Sequence, residues 1–128
     1  MTKVNLWGDI PIKEEVKTPL AILREQAAIL GELTNEILIA RVHRKKDARE
    51  FEYTFYMIAP ALENYTYAVL SVEHGIELYP IEIHDMAADR YLRCDDEQGF
   101  IVAIGEILSS ERMKRIIVGL ISQSKFSE

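Results

Sequence analysis

The sequence predicts an α+β fold in which an N-terminal helix and two C-terminal helices pack on one face of a four-stranded antiparallel meander, in the order α-ββββ-αα. Three observations support this prediction. Residues 51–83 are dense in aromatic and β-branched side chains, and large apolar groups recur at every second position. Apolar side chains recur at helical spacing in residues 19–33. They do so again in residues 100–121, where a pair of serines interrupts the pattern.

Residues 1–17 are predicted to form an extended N-terminal arm, and residues 18–128 a single α+β domain. Proline in the segment Ile10-Pro11-Ile12 favours extended backbone. Trp7 has two interpretations. As an exposed tryptophan it is a candidate partner-binding anchor. Alternatively, and this is the favoured interpretation, Trp7 folds back with Ile10 and Ile12 to cover the sheet.

The first helix has clear boundaries. Thr18 is a good N-cap, and Pro19 suits the first helical position because its missing N–H has no helical partner there. The helix is predicted from Pro19 to about Leu33. Asn35 tolerates the left-handed conformation that ends many helices, so the segment Thr34-Asn35 should close it.

The predicted strands follow in sequence order, with strand one at an edge of the sheet. Their ranges are 36–44, 51–59, 65–73 and 76–83. The dipeptide His74-Gly75 suits a two-residue type I′ hairpin connection. That turn sets a register in which Leu70 lies opposite Tyr79. Pro80 cannot donate to the ladder, which indicates an edge or a bulge at that point.

The alternation also predicts which side chains face the helices. The helix-facing set is Phe51, Tyr53, Phe55, Met57, Ala68, Leu70, Val72, Tyr79 and Ile81. The opposite set is Tyr56, Ile58, Tyr65, Tyr67 and Val69. Tyrosines offer a large contact area at low entropy cost. Tyr56, Tyr65 and Tyr67 are therefore candidate partner-binding residues, unless the N-terminal arm covers them.

The C-terminal third is predicted to begin with a loop or short helical turn at residues 84–94. The acidic segment Asp95-Asp96-Glu97 then favours a helix start, because the helix dipole stabilises negative charge there. The segment Ser109-Ser110 separates this helix from a second one, for which a serine is the cap.

Composition narrows the function. A formal net charge of −6 over 128 residues disfavours binding to nucleic acid or to an anionic membrane. A single cysteine, Cys94, excludes an intrachain disulfide. No apolar run reaches membrane-spanning length, and the N-terminus lacks the apolar core of a secretory signal, so a soluble cytoplasmic protein is expected.

The strong catalytic and cofactor motifs are also missing. The chain contains no GxGxxG, GxxxxGK, HExxH or CxxC motif, and no cofactor is expected. These features favour a small non-catalytic interaction protein, such as an inhibitor, an antitoxin or immunity-like protein, or a subunit of a larger assembly. Its expected partner is another protein, through the sheet surface, or a second copy of the chain.

Two alternatives remain. The first is a nucleic-acid-associated accessory protein that uses a basic hairpin made of Arg41, Arg44, Lys45, Lys46 and Arg49. The favoured interpretation is that those cations belong to a solvated turn that protects a strand edge from aggregation. The second alternative is an enzyme or metal site.

That second alternative rests on the segment that follows the last predicted strand. It groups His84, Asp85 and Cys94, with Asp89 or Asp95 as further members. A thiolate nucleophile needs a nearby base or cation, which His84 could supply if the loop folds back. Asp95 lies next to Cys94 and should instead raise the thiol pKa, which opposes nucleophilicity.

Overall fold

A computed structural model describes residues 3–12, 16–46 and 49–127 of the chain. The elements are α1 (Pro19–Leu33), β1 (Ile39–Arg44), β2 (Phe51–Ala59), a 3₁₀ turn (Pro60–Leu62), β3 (Tyr65–His74), β4 (Ile81–Asp85), β5 (Arg90–Cys94), α2 (Glu97–Leu108) and α3 (Glu111–Lys125). All neighbouring strands are antiparallel, in the order β1-β2-β3-β4-β5. The α+β fold and the meander are therefore confirmed, with β1 at an edge, but the sheet has five strands rather than four.

The helix boundaries agree with the local signals in the sequence. The Ala21 amide donates to Thr18 Oγ1 at 3.1 Å, so Thr18 is the N-cap of α1. Asn35 adopts a φ of 51° just beyond the helix. Asp96 and Ser110 cap α2 and α3 in the same manner as Thr18, through hydrogen bonds of 2.7 and 3.1 Å from the third residue on.

The predicted loop at residues 84–94 is wrong, because this segment contains the end of β4, a turn and the whole of β5, which form a hairpin. Asp85 pairs with Arg90 and Ile81 with Cys94 across β4 and β5. The Arg90 guanidinium donates to Asp85 Oδ2 at 3.2 Å, and Asp89 turns the chain with a φ of 50°. Alternating charged residues concealed this strand, since only Leu92 and Cys94 supply apolar groups to its inner side.

The predicted hairpin turn at His74-Gly75 is also wrong. β3 continues through His74, which pairs with Ile81, so Leu70 lies opposite Asp85 instead of Tyr79. The His74 side chain is buried and stacks on Phe51 with a ring separation of 5.3 Å. Because this packing holds His74 in the strand, the chain turns later, and the Leu78 amide donates to Gly75 O at 3.2 Å.

A β-bulge changes which side chains of β3 face the helices. Phe55 pairs with Leu70, but the next residue of β2, Tyr56, pairs with Ala68, so Val69 is extra. Val69 is buried and Ala68 is exposed, the reverse of the predicted assignment. Beyond the bulge, Tyr67 pairs with Met57 on the helix side.

The helices cover one face of the sheet. Among the described elements, α1 contacts β1, α2 contacts β5, and α3 contacts β2 and the 3₁₀ turn. The buried core between the two layers includes most of the predicted helix-facing set: Tyr53, Phe55, Met57, Leu70, Val72 and Ile81. No described helix combines the length and apolar character needed to cross a membrane.

The described part of the N-terminal arm does not cover the sheet. Residues 3–12 form neither helix nor strand, and the side chains of Trp7, Ile10 and Ile12 are all exposed. The interpretation in which these three residues shield the sheet is therefore wrong.

Candidate functional site on the uncovered sheet face

The face of the sheet opposite the helices carries no covering element among the described residues. We call it the open face. Its outward side chains follow from the strand pairings and alternate with the buried set. They are Ile39, Arg41, His43, Glu52, Thr54, Tyr56, Ile58, Thr66, Ala68, Ser71, Glu73, Glu82, His84, Tyr91 and Arg93. None of them is buried.

A row of carboxylates crosses the open face. Glu52 of β2 lies opposite Glu73 of β3, and Glu73 lies opposite Glu82 of β4. Glu50, just before β2, contributes a fourth carboxylate next to Glu73. We call Glu50, Glu52, Glu73 and Glu82 the glutamate row. Directly opposed side chains in a sheet approach to about 4.5–5.5 Å between Cβ atoms, so like charges at these positions destabilise the sheet.

The electrostatic effect is concentrated at Glu73. Partial burial raises the pKa of its carboxyl above the ordinary value of 4.5, and the charges of Glu50, Glu52 and Glu82 raise it further. Neighbouring cations give limited compensation. Lys45 Nζ lies 3.8 Å from Glu52 Oε2, and Arg93, which faces Glu82, donates to Asp95 at 3.0 Å.

A shallow cavity adjoins the glutamate row. It has a volume of about 200 Å³ and is lined by Glu52, Ser71, Glu73, Glu82, His84 and Tyr91. The His84 and Tyr91 rings stack with centroids 4.4 Å apart and planes at 7°. His84 Nε2 also lies 3.0 Å from Asp89 Oδ1, so two contacts fix the imidazole at the cavity wall.

The candidate tyrosines do not form one surface. Tyr56 lies on the open face, half-buried, between Arg41 of β1 and Ala68 of β3. Tyr65 and Tyr67 lie on the helix side, opposite Ala59 and Met57, because the bulge at Val69 reverses the alternation of β3. The prediction that these three tyrosines share one face is therefore wrong, and of the three only Tyr56 lies on the open face.

The basic hairpin residues also divide between the two sides. Arg41 pairs with Tyr56 on the open face, whereas the Arg44 guanidinium lies over the Phe51 ring, 4.9 Å from its centre. Lys45, Lys46 and Arg49 are exposed. The remaining hairpin-tip residues, Asp47 and Ala48, lie outside the described part of the chain.

The proposed catalytic group is separated by the sheet. His84 faces outward, whereas Asp85 and Cys94 face the helices and are buried. Burial, with added repulsion from Asp95 and Asp96, raises the pKa of the Cys94 thiol, in the direction that the sequence indicates. Within residues 3–12, 16–46 and 49–127, no three His, Cys, Asp or Glu side chains are grouped to hold a metal ion.

Sequence reasoning missed the glutamate row because its members are distant in the chain. Glu52, Glu73 and Glu82 each stand at an outward position of a strand, which the alternation alone could have shown. Their alignment across three strands depends on the β2–β3 and β3–β4 registers. The second of those registers was predicted incorrectly.

Comparison of the chain with protein-family models, with curated proteins and with solved structures found no match.

Proposed function

We propose that the protein is a small non-catalytic interaction protein whose open face binds a basic segment of a protein partner. The observation that carries this proposal is the glutamate row, in which Glu52, Glu73 and Glu82 lie directly opposite one another on three adjacent strands. Inhibitors, antitoxins, immunity proteins and assembly subunits are the roles consistent with such a surface.

The glutamate row opposes stability in the free protein. Its like charges repel across the ladder, and this repulsion adds to partial burial in raising the pKa of Glu73. Lysine or arginine side chains of a partner relieve the repulsion and form charge-assisted hydrogen bonds with the carboxylates. An arrangement that is unfavourable alone and favourable in a complex supports a binding role.

The surroundings of the row suit a protein segment. Tyr91 lies on the edge strand β5 and Tyr56 on β2, so aromatic side chains are available on the same face as the carboxylates. Tyrosine provides apolar contact area, while the carboxylates provide charge complementarity. The formal net charge of −6 also favours the approach of a cationic partner through long-range attraction.

A defined peptide tests this proposal. We expect a short peptide of alternating lysine and threonine to shift amide NMR signals of β2, β3 and β4, with affinity that falls as salt rises. The Glu73→Lys variant should bind the peptide more weakly than the wild type. Glu106→Lys is the matched control, because Glu106 is exposed on α2, on the helix side.

Several results count against the proposal. A peptide in which glutamate replaces lysine must not produce the same shifts. Shifts confined to α1, α2 and α3 place the binding surface elsewhere. If Glu73→Lys and Glu106→Lys lose affinity equally, binding depends only on the net charge of the protein, and the open face has no specific role.

A further inference from the structure

The exposed N-terminal arm has one apolar side when it is drawn as a strand. The even-numbered positions 4, 6, 10 and 12 are Val, Leu, Ile and Ile, and position 8 is glycine. Val4, Leu6, Ile10 and Ile12 are 76, 88, 56 and 82% exposed, and Trp7 is 82% exposed. A run of apolar side chains left in water is typical of a segment that binds a surface.

An apolar groove crosses the helix layer on the side away from the open face. Its walls are formed by Ile29 and Leu33 of α1 and by Met113 and Ile117 of α3, and its floor by Phe55 and Met57 of β2. This part has a volume of about 170 Å³. A second hollow of about 360 Å³ lies next to it, between α1 and α2, and Gln26 and Leu108 line both, so we treat the two hollows together as the groove.

We propose that the arm of a second copy of this chain occupies the groove, and that the two copies exchange their arms in a symmetric dimer. Each chain then supplies one apolar segment and one apolar groove. An exchange of arms therefore buries both segments and fills both grooves through two identical contacts. A partner of different sequence satisfies only one of the two features.

The dimensions of the arm and the groove agree. Helix α1 borders both hollows, and its 15 residues make it about 22 Å long at a rise of about 1.5 Å per residue. Residues 4–12 in extended form span about 30 Å at about 3.3 Å per residue, enough to follow the groove along its length. Specific interfaces bury about 1,200–2,000 Å² in total, so each arm with its four large apolar side chains on one side, together with the groove it covers, would supply about half of that area.

The present conformation of the arm does not oppose docking. The Trp7 amide donates to Asn5 Oδ1 at 2.9 Å, and Asn5 Nδ2 donates to Gly8 O at 3.3 Å. These bonds form an exposed local turn that water can replace at little cost when the arm extends. The dimer also leaves the open face free, because the groove lies on the other side of the sheet. This proposal is therefore independent of the proposed function.

The single tryptophan makes the test direct, because all tryptophan fluorescence comes from Trp7 in the arm. Analytical ultracentrifugation and emission spectra of the full chain are recorded over the same concentration series. We expect a monomer–dimer equilibrium in which Trp7 emission changes as the dimer forms, because extension of the arm opens the local turn that holds the Trp7 amide. Leu6→Asp in the arm and Leu33→Asp in the groove should each raise the dissociation constant about 30-fold, as expected for loss of a hot-spot contact.

Leu33 is 78% exposed, so its substitution should leave the fold intact. Ile76→Asp is the matched control, since Ile76 is 87% exposed in the β3–β4 connection, and it should not change dimerisation. A monomer with shielded Trp7 at every concentration shows that the arm docks in its own groove and overturns the proposal. A monomer with exposed Trp7 throughout, or a dimer in which Trp7 emission is unchanged, overturns it as well.

Discussion

Glu52 of β2 and Glu73 of the central strand β3 lie directly opposite each other, with both side chains on the open face. Opposed like charges weaken a strand pair, whereas opposite charges strengthen it. Stability alone therefore does not account for this pair. In the proposed function the same two carboxylates attract a cationic partner, so stability and the proposed binding are opposed at this position.

Substitution of Glu73 by glutamine should stabilise the protein. Glu73→Gln keeps the shape of the side chain but removes repulsion from Glu52 and Glu82, and we expect a gain of about 0.2–1 kcal/mol in the free energy of unfolding. Urea denaturation measures this gain. Glu106→Gln on α2 is the control and should change stability by less than about 0.5 kcal/mol. Destabilisation by Glu73→Gln contradicts the assigned repulsion.

The stability difference between wild type and Glu73→Gln should depend on pH. The pKa of Glu73 is raised in the folded protein, so the folded state binds this proton more tightly than the unfolded chain does. The resulting stabilisation is complete below the ordinary value of 4.5 and is lost as pH rises through the raised value. The advantage of Glu73→Gln should therefore be largest at neutral pH and shrink on acidification. Urea titrations between about pH 4 and 7 measure this trend, and a constant difference contradicts it.

The two faces of β2 should respond differently to truncation. Phe55 is 2% exposed on the helix side, and Phe55→Ala should cost about 3–5 kcal/mol of the roughly 5–15 available to a domain. Tyr56 lies on the open face, and Tyr56→Ala should cost about 1 kcal/mol or less. The loss of stability in Tyr67→Ala should lie between those of Phe55→Ala and Tyr56→Ala, because the bulge places Tyr67 on the helix side. Thermal and urea unfolding rank the three variants, and equal losses for Phe55→Ala and Tyr56→Ala imply that the open face is covered.

The Cys94 thiol should be unreactive in the folded protein. Burial raises its pKa and restricts access, and the nearby Asp95 and Asp96 disfavour the thiolate that thiol reagents require. We expect modification at least about ten-fold slower in the native protein than in urea. Because the chain has one cysteine, the rate is assigned without further labelling. Equal rates in both conditions would restore the thiol-enzyme alternative.

The sequence by itself determined the elements with local signals. Thr18 and Pro19 start α1, and Asn35 follows its end, because capping depends on residues within one or two turns. The aromatic alternation of β2 predicts its buried face correctly, since a regular strand has a fixed period of two. The direction of the Cys94 pKa shift was also predictable, because Asp95 and Asp96, which add to the effect of burial, follow Cys94 in the chain.

Only the tertiary structure decided the content of the open face. One extra residue at Val69 moves Tyr65 and Tyr67 to the helix side, and burial of His74 against Phe51 shifts the β3–β4 register. Bulges and registers are set by packing between strands that are distant in sequence, which no local pattern records. For the same reason, the alignment of Glu52, Glu73 and Glu82 appears only once the strands are paired.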